Sequence, residues 1–161
     1  MKNWWRTLVV LTVSCMAFGA CDLLDCTNYS VQLLNIELCD STGASATVPD
    51  SLTVKACGTD STLINRDYLA DDMLLPMSYV ADEDTFLLKF SGEDYVLWDT
   101  LFVTKTNDQY FESPDCPTRM MHTLLEVRMT HVLLDSAKIV NNKIGFVESC
   151  NIKLYIRQEE K

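Results

Sequence analysis

The stretch TFLLKFSGEDYVLWDTLFVT, Thr85 to Thr104, decides how this chain folds. Two apolar segments, Thr85 to Phe90 and Tyr95 to Thr104, flank Ser91-Gly92-Glu93-Asp94. That arrangement predicts a β-hairpin in which Gly92 supplies the tight turn. In the second segment Val96, Trp98 and Phe102 share one face, while Tyr95, Leu97, Leu101 and Val103 share the other. Both faces are apolar, as in a central strand covered on each side. A crossover segment or a partner protein is the expected cover for the second face. Trp98 reads first as a core tryptophan and second as a platform on which a sugar ring stacks.

Outward from the hairpin the two-residue period recurs. Ser30 to Cys39 alternates Gln32, Leu34, Ile36 and Leu38 with Leu33, Asn35 and Glu37, and Ser51 to Cys57 places Leu52, Val54 and Ala56 on one face. Between them Asp40 to Asp50 is turn chemistry with Gly43 and Pro49. Thr123 to Met129, Val132 to Val140 and Ile144 to Arg157 complete the set, the last two joined at Asn141-Asn142-Lys143. Asp67 to Leu75 breaks the pattern: it fits a short helix with Leu69 and Met73 on one side, stopped before Pro76, or a long crossover loop. About seven strands separated by turns predict an all-β chain, an antiparallel β-sandwich.

The N-terminus has the layout of a secretory signal peptide over residues 1–20: Lys2 and Arg6, the apolar run Leu8 to Phe18, then small residues. The run is about half the ~20 residues that span a bilayer. Ordinary cleavage would use Ala17 and Gly19 and leave Ala20 first. Cleavage before Cys21 with acylation of its thiol is the favoured outcome, because Phe18-Gly19-Ala20-Cys21 resembles a lipobox, departing from it at Phe18 and Gly19. Residues 21–29 then form a lipidated tether and 30–161 one sandwich domain.

From Cys21 onward, 11 basic residues face 23 acidic ones, a formal charge of −12, because Lys2 and Arg6 are the only charges before it. Such a surface repels phosphate backbones, so nucleic-acid binding is excluded, and attachment to a membrane requires the N-terminal lipid. Beyond Cys21 five cysteines remain: Cys26, Cys39, Cys57, Cys116 and Cys150. The number is odd, so at least one thiol is left over. Cys26 and Cys116 lie in loop-like contexts and are the preferred disulfide in an oxidising envelope. Cys150 reads as a small hydrophobe on the face of Ile152, Leu154 and Ile156.

Several motifs in order resemble a known family. They are DCT at Asp25, LLPM at Leu74, DTFLLKF at Asp84, DTLFV at Asp99, ESPDCP at Glu112 and NIKLYI at Asn151. Together the chain resembles an uncharacterised family of Bacteroidota lipoproteins, domain of unknown function 6452. The resemblance implies an immunoglobulin-like fold, a lipid-anchored location in the bacterial envelope at the outer membrane, and a barrel protein of that membrane as partner. It implies no activity and no catalytic residues. For such an origin, Asp followed by Ser or Thr resembles an O-glycosylation signal, and Ser41, in the longest exposed loop, is the best candidate. Turn chemistry explains these Asp-Ser and Asp-Thr pairs more simply.

No catalytic constellation is visible. The G-x-S-x-G elbow is missing, and His122 and His131, nine residues apart, match no metal-pair spacing. His131, between two apolar strands, reads as a core or edge histidine. A thiol nucleophile at Cys39 or Cys57 would need an electropositive pocket. Asp71-Asp72 and Asp82-Glu83-Asp84 offer oxygen ligands for calcium, but a solvated acidic rim is the simpler reading. The expectation is a protein that is no enzyme and has no cofactor and no metal. It would work as a binding or structural accessory to an outer-membrane component, or alternatively as a carbohydrate-binding module, in either case through the face of Trp98 and Phe102.

Overall fold

The computed structural model describes Cys26 and residues 32–48, 50–59, 61–114, 116–145 and 149–157. The signal segment, Cys21 and the tether apart from Cys26 lie outside them. In chain order the strands are β1 Leu33–Cys39, β2 Ser51–Ala56, β3 Thr62–Tyr68, β4 Asp72–Pro76, β5 Glu83–Ser91, β6 Val96–Tyr110, β7 Arg119–Met129, β8 Leu134–Ile139, β9 Lys143–Ile144 and β10 Ile152–Ile156. They form a four-stranded sheet, β4-β1-β10-β8, and a six-stranded sheet, β3-β2-β5-β6-β7-β9. The fold is an all-β sandwich.

Its core follows from alternation. Leu34, Ile36, Leu38, Met73, Leu75, Ile152 and Leu154 point inward from the first sheet. Leu52, Val54, Phe86, Leu88, Phe90, Leu101 and Val103 meet them from the second, in one contiguous buried cluster. The expected hairpin is present, with Phe90 opposite Leu97 and Ser91 opposite Val96. Gly92 closes its turn by donating to the Tyr95 carbonyl at 3.0 Å. The glycine leaves room for two side chains: a Cβ at Gly92 would press on the Tyr95 ring and the Asp50 carboxylate and displace them.

Four expectations are corrected. Ten strands among the described residues replace about seven. No helix forms over Asp67 to Leu75: Leu69 takes a left-handed φ of 55°, β3 ends before it, and β4 buries Met73 and Leu75 at a spacing of two. Pro76 ends β4 at a sheet edge, where a missing N–H donor is tolerated. The sandwich is not purely antiparallel, since β1 runs parallel to β10 with Ile36 opposite Ile152. Finally, β8 does pair with β10, but the chain between them crosses sheets to lay β9 beside β7, with Ile144 opposite His122.

Candidate functional site

The six-stranded sheet turns one face to the core and one outward, and the residues outward near the hairpin end stand in two rows. Ser51 pairs with both Tyr68 and Ser91, and Ser91 pairs with Val96, giving the row Tyr68-Ser51-Ser91-Val96 across β3, β2, β5 and β6. In the next row Thr53 opposes Lys89 and Lys89 opposes Trp98, while the Arg66 amide donates to the Thr53 hydroxyl at 3.2 Å. Each row spans three interstrand spacings, about 14 Å. Arg66 reaches its place through a register shift between β2 and β3 and a left-handed φ of 53°.

Trp98 is therefore not a core tryptophan. It is 44% exposed, and the Lys89 ammonium lies 5.7 Å from its ring centroid. The reason is parity: Leu97, Asp99, Leu101 and Val103 take the core side, so Trp98 and the half-buried Phe102 face out. Phe102 is covered by the Arg128 guanidinium, 5.3 Å from its ring, and Arg128 is in turn paired with Glu83. Val96 and Tyr68 are exposed in the same region, Tyr68 at 68%. Asp50, Arg66, Tyr68, Lys89, Ser91, Gly92, Glu93 and Val96 line an open cleft there. Its carboxylates lie at the hairpin end, Asp50 accepting from the Tyr95 hydroxyl at 2.9 Å, and its cations lie one row inward.

On the core side, β6 buries two charges. Asp99 accepts from the backbone N–H groups of Val132, Leu133 and Leu134 and from the Thr130 hydroxyl. Burial acts to raise its pKa, but these four donors outweigh it and hold the carboxyl below the usual range. Lys105 donates to the carbonyls of Ser78 and Ala81 at 2.7 and 2.6 Å and to Asn107 Oδ1 at 2.8 Å, and it pairs with Asp84. Burial pushes the Asp84 carboxyl up, against the Lys105 charge and the Ser78 amide. Asn107 Nδ2 donates to Ala81 and its Oδ1 accepts from Lys105, so His122 Nδ1 carries the proton it donates to Oδ1 at 2.8 Å. His122 Nε2 is then a bare, buried nitrogen with no hydrogen-bond partner among the described residues. Desolvation, reinforced by the Lys105 charge, lowers the His122 pKa to about 4, and Tyr79 stacks on the ring. This network closes the segment between β4 and β5. Nothing in the local sequence marks it, because its members lie on three separate segments.

The remaining assignments divide. Cys26 and Cys116 form a disulfide with Cα atoms 5.8 Å apart. Ser41 is exposed in a turn whose Asp40 accepts from the Thr42 amide and hydroxyl and the Ala44 amide. His131 is exposed rather than in the core or at a strand edge. Cys150 is not on the face of Ile152: it precedes β10, is only half-buried, and lines a shallow cleft with Glu37, Asp71 and Asp72. Burial raises the Cys150 and Cys39 thiols, while Cys57 is exposed. Of the two acidic clusters, Asp84 and Glu83 are committed to Lys105 and Arg128, and no group of metal-binding side chains assembles among the described residues.

Fold and face together define an all-β sandwich domain with an outward aromatic and cationic surface on its larger sheet. Residues 51–156, β2 through β10, match the model of a family of unknown function (DUF6452), and the chain belongs to that family. Comparison with the curated proteins and with the solved structures finds no match.

Proposed function

We propose that this chain is a non-enzymatic lipoprotein of a Bacteroidota envelope. In this reading it is anchored at the outer membrane through acylated Cys21 and serves as a binding or structural accessory to another outer-membrane component, a barrel protein. The observation that carries the reading is the exposed outer face around Trp98. The crossover segment expected as a cover, Asp67 to Leu75, instead ends β3 and builds β4 in the other sheet. An indole left 44% exposed beside Val96 is the kind of surface a partner buries. The non-enzymatic part of the reading is supported by thiols at Cys39 and Cys150 that burial makes less ready to ionise.

The test is affinity capture of the full-length protein from detergent-solubilised membranes of its native host, beside Trp98→Ala. A stoichiometric barrel protein retained by the parent and lost by the variant is expected; equal recovery by both, or none, overturns docking through this face. Intact mass of the same material, beside Cys21→Ser, is expected to show acyl mass on a chain beginning at Cys21.

A second reading, a carbohydrate-binding module, is favoured by the cleft, where Tyr68 stands among hydrogen-bonding and charged groups. It predicts saturable saccharide binding without any partner protein.

A further inference from the structure

We propose that the Tyr68-Arg66-Lys89 cleft is a site for an acidic saccharide, its carboxylate held between Arg66 and Lys89 and its ring laid against Tyr68. This inference rests on the carbohydrate-binding reading and names its ligand class.

The charge arrangement carries the argument. The chain has 23 carboxylates to 13 cationic residues, yet neither the Arg66 guanidinium nor the Lys89 ammonium forms an ion pair among the described residues. Both lie on one row of the sheet, two strands apart, hence about 10 Å between backbones and within reach of one carboxylate from their long side chains. Arg66 presents a planar fork of donors suited to a carboxylate, and Lys89 a point charge.

The cleft's own acids do not occupy that position. Asp50 sits at the hairpin end, engaged by Tyr95, and Glu93 lies in the turn, four residues beyond Lys89 and past the Ser51-Ser91 row; neither pairs with Arg66 or Lys89. The cleft is thus bipolar: an anion fits inward, and hydroxyl donors fit outward against Asp50 and Glu93. Tyr68, which lines the cleft and is 68% exposed, supplies a flat apolar surface at one flank, and Trp98 supplies another beyond Lys89.

Arg66 is set beside the Thr53 hydroxyl by a left-handed backbone that non-glycine residues seldom adopt. It is the Arg66 amide, not its guanidinium, that makes this bond.

The experiment is calorimetric titration of the full chain in detergent micelles with oligosaccharides ending in galacturonic, glucuronic or sialic acid, and with neutral counterparts of equal length. Arg66→Gln and Lys89→Gln are titrated in parallel, with thermal melts of each. Expected is saturable binding of at least one acidic sugar, at least tenfold tighter than its neutral counterpart. Each substitution should weaken it about tenfold with no change in melting, and 0.5 M salt should weaken the acidic ligand alone. Equal binding of acidic and neutral sugars, or binding indifferent to both substitutions, overturns the acidic assignment and leaves the carbohydrate reading standing. No binding of any saccharide overturns both.

Discussion

Lys105 and Lys89 stand on adjacent strands of one hairpin and face opposite sides of one sheet. Lys105 is 1% exposed, and its ammonium meets two carbonyls, an amide oxygen and a carboxylate. Lys89 is half-exposed, its ammonium lies 5.7 Å from the Trp98 ring centroid, and among the described residues it forms no ion pair. The first has every donor satisfied within the chain, as a buried charge requires, and is thereby committed to holding the segment between β4 and β5. The second has donors to spare. In this sandwich the distinction between satisfied and unsatisfied polar groups separates scaffold from candidate binding surface.

The largest test of that contrast is Lys105→Met. It leaves Asp84 buried without a counter-charge and strips donors from the Ser78 and Ala81 carbonyls. A loss of about 3–5 kcal/mol is expected in urea unfolding at neutral pH. Adding Asp84→Leu should return part of it, because the uncompensated charge goes too; no recovery would mean that the carbonyl bonds, not the ion pair, dominate.

Acid probes the same network. His122 binds its proton more weakly in the folded chain, at about 4, than the 6.5 of an unfolded histidine. Its contribution to stability is therefore complete above about pH 6.5 and is lost as pH falls through 4. The loss totals about 3 kcal/mol. The ring faces Lys105, Asp108 and Tyr79, and the Asp84 carboxyl held by Lys105 is itself displaced upward, so the informative quantity is the parent curve minus that of His122→Gln. A difference curve flat between pH 6.5 and 4 would remove His122 from the account.

The smallest effect belongs to the outer face. Lys89→Met should change stability by no more than about 0.5 kcal/mol in the same unfolding experiment. A loss comparable to that of Lys105→Met would erase the contrast and make Lys89 part of the scaffold.

Much of the sandwich was readable in advance because half-buried strands write a period of two into the chain. The Thr85 to Thr104 hairpin and β1 and β2 show it. Where burial is shallow the signal disappears: β3, TLINRDY, is an edge strand with no fully buried residue, and its sequence has no alternation to find. β9 has two residues and no period at all. Of the two readings of Asp67 to Leu75, a short helix or a crossover loop, the helix rested on Leu69 and Met73, but Leu69 is an exposed turn residue. Apolar residues four apart belong here to a turn and to β4.

The candidate site was half legible. Trp98 and Phe102 were identifiable as a shared face, and the Cys26–Cys116 bond from loop context. Arg66, Lys89 and Tyr68 were not, since they come from β3 and β5 and meet only through the register with β2. Local sequence by itself determined the strands that alternate, such as β1, β2, β5 and β6, together with the hairpin, the acidic balance and the family resemblance, because each is written in residue identity and order along the chain. Tertiary structure alone decided which face of β6 is core, which cation is satisfied and which residues line one cleft. Those depend on strand pairing between segments far apart in sequence, and no local period encodes that pairing.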